Sequence, residues 1–420
     1  MRLQLRNIGK LSYADIELNG ITVIAGENNT GKSTVGKTLY SIFNSYYDVE
    51  NQIELEREKS IARVLEAIDI KSEEIYSNFF FWDKFEDLAK ILNKSKEYSI
   101  ELLTRSIYEY LSSIEVDKTM VDEDDIVIAA EKISYIKSIL NQQLCTTLLK
   151  RSLDSEFNGQ ISNIFSDDDS TIDLTIKSKT VSVTIKDDEV VDVEGLFSLR
   201  TEVVYIDDPF IIDNIHSIRS IDKFYVSPTG YHRTKLKEKL QKNSETNLFE
   251  EILINDKLNN IYNKINSVCD GEIYKKDNMR WSYHMPGTSK NIDFKNVSTG
   301  LKTFVIIKTL LQNGVIGEKA TIVLDEPEIH LHPEWQLLFA EIIVLLQKEF
   351  DITILLNTHS PYFLEAIEVY SKKYEIADKC KYYLAENEDN ISVIKDVSKY
   401  TEAIYEKLAI PLQKLENERI

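Results

Sequence analysis

An α/β fold built on a mostly parallel sheet is predicted by three segments of this chain, each an apolar run that delivers polar residues at its end. The run 21–25 (Ile-Thr-Val-Ile-Ala) leads into Gly26-Glu27-Asn28-Asn29-Thr30-Gly31-Lys32-Ser33-Thr34. The run 321–324 leads into Asp325-Glu326-Pro327, and the run 352–356 into Asn357-Thr358-His359-Ser360-Pro361. Short apolar runs of this kind read as buried strands, and functional groups of open α/β sheets collect where such strands end.

The first segment carries the most specific chemistry. Two glycines, a lysine and a hydroxyl stand at the spacing of a phosphate-binding loop. Val35, Leu39, Ile42, Phe43 and Tyr46 then recur at helical spacing. A strand, a glycine-rich turn and a helix N-terminus make an anion cradle, because free N–H groups and the helix dipole face the phosphates. Lys32 would reach the outer phosphates and Ser33 would supply a Mg²⁺ ligand. In the second segment Asp325 can hold Mg²⁺ through water, and Glu326 could polarise an attacking water. Ser298-Thr299-Gly300-Leu301-Lys302 opens a further helix with apolar Leu301, Phe304, Val305, Leu310 and Leu311.

The remaining elements follow in order. Residues 1–25 read as two strands of a module whose first part spans 1–48. Residues 49–155 are rich in helix formers, with Ile61, Val64, Leu65 and Ile68 at helical spacing, and predict a compact helical insertion. Sustained heptads are lacking, which argues against a long coiled-coil arm. Phe79-Phe80-Phe81-Trp82 reads as a core or interface knot. The module resumes over 156–390, where alternation at 172–176 and 181–185 predicts strands of an antiparallel subdomain. The run 203–206 reads as a core strand, and 391–420 as a C-terminal tail.

Taken together, these motifs resemble the ABC-type ATPase heads of the branch containing SMC, RecF, Rad50 and OLD-like proteins. The resemblance covers roughly the first 45 residues and most of 200–390. It implies an ABC-ATPase head in which Gly26, Asn28, Asn29, Thr30, Gly31, Lys32, Ser33 and Thr34 form the Walker A loop. Ser298 and Gly300 correspond to an abbreviated signature motif, Asp325 to the Walker B acid, Glu326 to the catalytic glutamate and His359 to the switch histidine. Glu328 to Pro333 stand where the D-loop should be, and the Q-loop is left unassigned, with Gln160 as its candidate. The implied ligands are ATP and Mg²⁺, the latter on Ser33 and Asp325. The implied assembly is a homodimer or higher homo-oligomer closing over ATP. Stand-alone ATPases of this kind, such as the Septu ATPase, are encoded beside an effector in anti-phage systems. A separate nuclease or toxin is therefore the expected partner. A RecF-like DNA-repair ATPase and a slow ATP-dependent scaffold are the alternatives.

Composition sets outer bounds. The chain has 420 residues, 43% of them hydrophobic, enough for one large core and a smaller second one. A net charge of −20, roughly two-thirds of it within residues 51–200, argues against a globally basic nucleic-acid surface. The most basic stretch, Tyr231 to Lys239, reads either as a local phosphate-contacting patch (Arg233, Lys235, Lys237, Lys239) or as a solvated helix face. Cys145, Cys269 and Cys380 follow no metal or redox spacing. His330 and His332 suit a loop role beside Pro333 better than a metal pair, and His359-Ser360 lacks a nucleophile elbow. No apolar stretch is long enough to span a bilayer, and no signal peptide is read at Met1, so the expectation is a cytoplasmic protein without membrane contact. About 60 residues follow His359, too few for the nuclease domain of full-length OLD-like proteins.

Overall fold

The computed structural model describes residues 1–71, 80–95, 99–195, 197–214, 231–241, 258–275 and 281–418. It divides into two compact units, a head (1–47 and 148–420) and an insertion (48–147).

The head is organised on one eleven-stranded sheet, in the order β6-β5-β4-β1-β2-β14-β13-β3-β12-β11-β7. Its strands are β1 (Arg2–Ile8), β2 (Leu11–Glu17), β3 (Ile21–Gly26), β4 (Ser170–Ile176), β5 (Lys179–Lys186), β6 (Glu189–Glu194) and β7 (Val203–Ile206), then β11 (Thr321–Asp325), β12 (Thr353–Thr358), β13 (Cys380–Glu388) and β14 (Ile391–Asp396). Strands β8 (Glu272–Lys275), β9 (Trp281–His284) and β10 (Ile292–Asp293) form a separate antiparallel sheet. From β13 through β3, β12 and β11 to β7 every pairing is parallel. The antiparallel strands expected as a subdomain are continuous with this parallel half. Three strands, not the expected two, occupy residues 1–26, because a turn at Gly9 and Lys10 folds β1 back on β2. The expected tail from residue 391 is also corrected: Ile391–Asp396 is β14, buried in the sheet between β2 and β13.

The helices are α1 (Lys32–Tyr46), α2 (Val49–Glu66), α3 (Phe80–Lys94), α4 (Ile100–Ser113), α5 (Glu123–Ser138), α6 (Asn141–Phe157), α7 (His232–Gln241), α8 (Thr299–Gln312), α9 (Pro333–Phe350), α10 (Pro361–Lys373) and α11 (Glu402–Glu418). Strand alternation sorts the head into two cores. Ile21, Val23, Ile322, Leu324, Ile354 and Leu356 face one, with residues of α8, α9 and α10. Ile24, Val323 and Leu355 face the other, with Val35, Leu39 and Phe43 of α1. The runs at 21–25, 321–324 and 352–356 are largely apolar on both faces because both sides of these central strands are covered.

The insertion has its own core, in which Ile61, Leu65 and Ile68 pack with Phe85, Leu103, Ile107 and Ile133. The boundary expected at residue 155 falls inside α6; the units part at Thr147 and Leu148, within that helix. The side chains of Phe79 to Trp82 lie outside the described residues. No helix among the described residues is long and apolar enough to cross a membrane.

Candidate functional site

The parallel register brings the ends of three neighbouring strands to one edge. Asp325 on β11 pairs in register with Asn357 on β12, and Thr358 on β12 with Ala25 on β3. The phosphate loop, the two acids and His359 therefore share one end of the sheet.

The loop leaves β3 at Gly26 and turns into α1 at Gly31, the N-cap residue, with φ of 78°. A side chain at Gly31 would be strained at that φ, and its Cβ would stand 2.7 Å from the Leu11 side chain. No side chain caps the fifteen-residue α1; the Thr34 N–H turns back to the Gly31 carbonyl at 3.1 Å, and the helix N-terminus is otherwise open to an anion. Lys32, 4% exposed, donates from Nζ to the carbonyls of Gly26 (3.2 Å) and Glu27 (2.6 Å) and to Thr30 Oγ1 (3.4 Å). Burial pulls its pKa below the ordinary lysine value, against the opposing pull of Glu326, Asp325, Glu328 and Glu27. A buried ammonium facing four carboxylates and held only by neutral oxygens is suited to an anionic ligand. Ser33 and Thr34 follow it in the first turn, while Asn28 and Asn29 lie exposed on the loop.

Two donors orient Asp325. The Tyr205 hydroxyl donates to Oδ2 at 2.9 Å, and Asn357 Nδ2 to Oδ1 at 2.8 Å. Glu326 follows at φ 53°, an uncommon left-handed conformation for a glutamate, held by its N–H donating to the Asn357 carbonyl at 2.9 Å. Its carboxylate is ion-paired with His359 Nε2. The other ring nitrogen, Nδ1, lies 2.9 Å from the Gly26 carbonyl and donates to it. This pairing holds Glu326 below the usual carboxylate range and raises His359 above the usual imidazole value.

Beneath the site lies Glu328, 3% exposed, which accepts from the Thr358 hydroxyl and from the His359 N–H at 3.1 Å. Burial raises its pKa. Tyr205 and Asn357 are site residues to which sequence reasoning gave no role, and Glu328 was placed only in the stretch where the D-loop should be. A cavity of about 290 Å³ adjoins Asp325 and Glu326, lined also by Asp208, Phe210, Arg233 and His330.

Ser298 and Gly300 take no part in this network. Ser298 is the exposed N-cap of α8, and its hydroxyl makes no capping bond. Gly300 lets α8 approach the loop before α9: a Cβ there would stand 2.9 Å from the His330 carbonyl and 3.2 Å from the Trp335 ring. His332 caps α9 through Nδ1, which accepts from the Glu334 N–H at 3.4 Å, with Pro333 in the first turn. Among the described residues no cluster of His, Cys, Asp or Glu is arranged as a metal site by itself. Gln160 is exposed in the turn after α6, its N–H donating to the Phe157 carbonyl, and takes no part in the network either. The three cysteines are buried free thiols.

The basic stretch is not a free patch. Arg233 forks onto Asp207 at 2.7–3.0 Å, Lys235 pairs with Glu238 at 3.0 Å, and Lys239 is ion-paired with Glu202. Tyr225 to Pro228, just before it, lie outside the described residues.

Among solved structures the chain is similar, at low identity, to SMC head domains. The SMC head domain from Thermotoga maritima is 11% identical, with 94% of this chain and 98% of that one covered at a TM-score of 0.40. An SMC head bound to the C-winged helix domain of ScpA is 11% identical, with 96% and 98% covered at 0.43. An SMC head with an extended coiled coil, bound to a ScpA domain from Pyrococcus furiosus, is 11% identical, with 100% and 99% covered at 0.41. The family model described as the AAA ATPase domain matches residues 1–364, most of the sequence, and by that match the chain belongs to the AAA ATPase domain family.

Proposed function

We propose that this chain binds ATP with Mg²⁺ at the phosphate loop and hydrolyses it to ADP and phosphate. The observation that carries this reading is the bridge made by His359, which joins the Gly26 carbonyl of the loop to the Glu326 carboxylate. The phosphates would lie on the uncapped N-terminus of α1, where Lys32 would exchange its loop carbonyls for phosphate oxygens. Ser33 and Asp325 would hold the Mg²⁺, whose role when bound is to offset phosphate charge. Glu326 would accept the proton of the attacking water. While paired with His359 it is a weak base; a phosphate drawing His359 away would strengthen it.

We infer further that the active unit is a homodimer. The uncapped Ser298 hydroxyl and the N-terminus of fourteen-residue α8 suit an anion but stand outside the phosphate-loop network, which fits a site completed by a second copy. By family analogy alone, such a dimer would control a separate effector protein in anti-phage defence. Co-purification with the product of a neighbouring gene, and no nuclease activity from the pure chain, are the results expected. The DNA-repair alternative loses its main support, because three of the four cations on α7 are already paired with acids.

Glu326→Gln tests the hydrolysis reading. It should keep ATP binding and slow turnover by ~10²–10⁴-fold, the usual range for a lost general base. Lys32→Ala should weaken nucleotide binding itself. Wild-type turnover in Glu326→Gln would remove the catalytic assignment.

A further inference from the structure

A buried polar cluster of the head lies behind Asp325 and has no part in the chemistry proposed above. His232, 1% exposed, sits between two carboxylates. Its Nδ1 is 2.7 Å from Glu156 Oε2 and its Nε2 is 3.1 Å from Asp207 Oδ2. Its backbone N–H donates to the other Glu156 oxygen at 2.8 Å. The Nδ1 contact has hydrogen-bond geometry, and against the lowering effect of burial the two neighbouring carboxylates raise the ring above the usual imidazole value. The His232 ring stacks on Tyr205 with centroids 4.3 Å apart and planes 19° apart, and the Tyr40 ring meets it edge-on. Asp207 is itself fixed by the fork of Arg233.

The clamp leads to one atom. Tyr205 is 2% exposed, and its hydroxyl donates to Asp325 Oδ2. The phenolic O–H prefers the plane of its own ring, so by restraining that plane the stacked His232 ring restrains the direction in which the hydroxyl donates. Asp325 thus accepts one hydrogen bond on each oxygen, from Tyr205 and from Asn357. Each oxygen keeps lone-pair capacity for a further partner.

We propose that Tyr205, held by the His232 clamp with Glu156 and Asp207, is a positioning residue that orients the Asp325 carboxylate toward a divalent cation. This rests on the ATPase reading and adds to it a support outside the recognised motifs. Outer partners of metal ligands commonly control affinity by 10–100-fold. The test is the binding of Mn²⁺ to the ATP-loaded protein, followed by electron paramagnetic resonance. Affinity for ATP in the presence of EDTA checks that the phosphate loop is intact.

Tyr205→Phe keeps the ring and its stack and removes only the donor, so Mn²⁺ affinity should fall about tenfold. Glu156→Gln, nearly isosteric, loosens the clamp and should lower affinity by a smaller factor. The double variant should bind Mn²⁺ no worse than Tyr205→Phe alone, because the clamp acts only through the Tyr205 hydroxyl. Unchanged Mn²⁺ affinity in Tyr205→Phe would overturn the inference. Multiplying losses in the double variant would overturn the part given to the clamp. If the wild-type protein itself binds no Mn²⁺ with ATP, it is the ATPase reading that falls first.

Discussion

Individual residues in this head are constrained by two separable effects, backbone conformation and space, and its glycines tell them apart. Gly31 and Gly159 have nearly the same φ, 78° and 74°, yet a Cβ on Gly31 meets the Leu11 side chain at 2.7 Å and one on Gly159 meets nothing within 4 Å. Gly159→Ala should cost only the left-handed penalty, about 1–2 kcal/mol. Gly31→Ala should cost about 1–3 kcal/mol more, from overpacking, and should also weaken nucleotide binding. Chemical denaturation of both variants checks this, and equal losses would show that the contact with Leu11 is relieved without cost. Glu326 accepts the same left-handed conformation without being glycine, because its N–H is tied to the Asn357 carbonyl and its side chain to His359.

The elements are joined by buried charge as well as by apolar packing. Glu341 of α9, 6% exposed, accepts from Lys264 (2.7 Å) on the helix over 258–266, from Lys373 (2.9 Å) at the end of α10 and from the Tyr374 hydroxyl (2.6 Å). Burial alone would raise its pKa, but these three donors outweigh it and hold the carboxyl at about 2. The folded value lies below the ordinary 4.5, so the stabilisation is fully present above pH 4.5 and is lost as pH falls toward about 2. Glu341→Gln should cost about 1–3 kcal/mol at pH 7, toward the lower end because Lys373 is half exposed to solvent. Urea titrations from pH 7 to 3 should show the gap between variant and wild type closing on the acid side. A gap that stays constant with pH would mean that the ionised carboxylate contributes nothing.

At the scale of the molecule, the proposed phosphate site stands apart from the start of α8. Gly31, Lys32, Asp325, Glu326 and His359 gather at one edge of the sheet, while Ser298 offers an uncapped hydroxyl at the start of α8, outside that network. Ser298→Arg should therefore abolish hydrolysis although it leaves the phosphate loop intact. Mixing it with Lys32→Ala should restore part of the activity, since one of the two sites in a mixed dimer combines two unaltered halves. Failure of every mixture to recover, with both variants folded and associating, would point to a site completed within one chain. The charge pairing on α7 makes a parallel prediction for DNA. Reversing Arg233, Lys235, Lys237 and Lys239 should leave any DNA affinity and its salt dependence nearly unchanged. A steep loss would restore the repair reading.

What the sequence determined by itself was local. The phosphate loop, the strands ending in Asp325-Glu326 and Asn357 to His359, and the alternating strands near 172–185 are written in contiguous residues, where spacing and alternation act directly. Non-local pairing was not legible. Ile391–Asp396, half of it polar, becomes a sheet strand only where β2 and β13 flank it, and the turn that makes three strands of residues 1–26 shows only once β1 and β2 pair. The two readings of the basic stretch on α7 could not be separated in the sequence, because Asp207 and Glu202, which pair with Arg233 and Lys239, lie about 26 to 37 residues earlier in the chain. The same limit hid Tyr205 and Glu328. A hydroxyl that orients a carboxylate 120 residues away, and a buried acid that receives the Thr358 hydroxyl and the His359 N–H from a neighbouring strand end, acquire those roles only from parallel register. Register brings strand ends together across the sheet irrespective of their distance in the chain, and that is why the tertiary structure alone decided which groups surround the motifs.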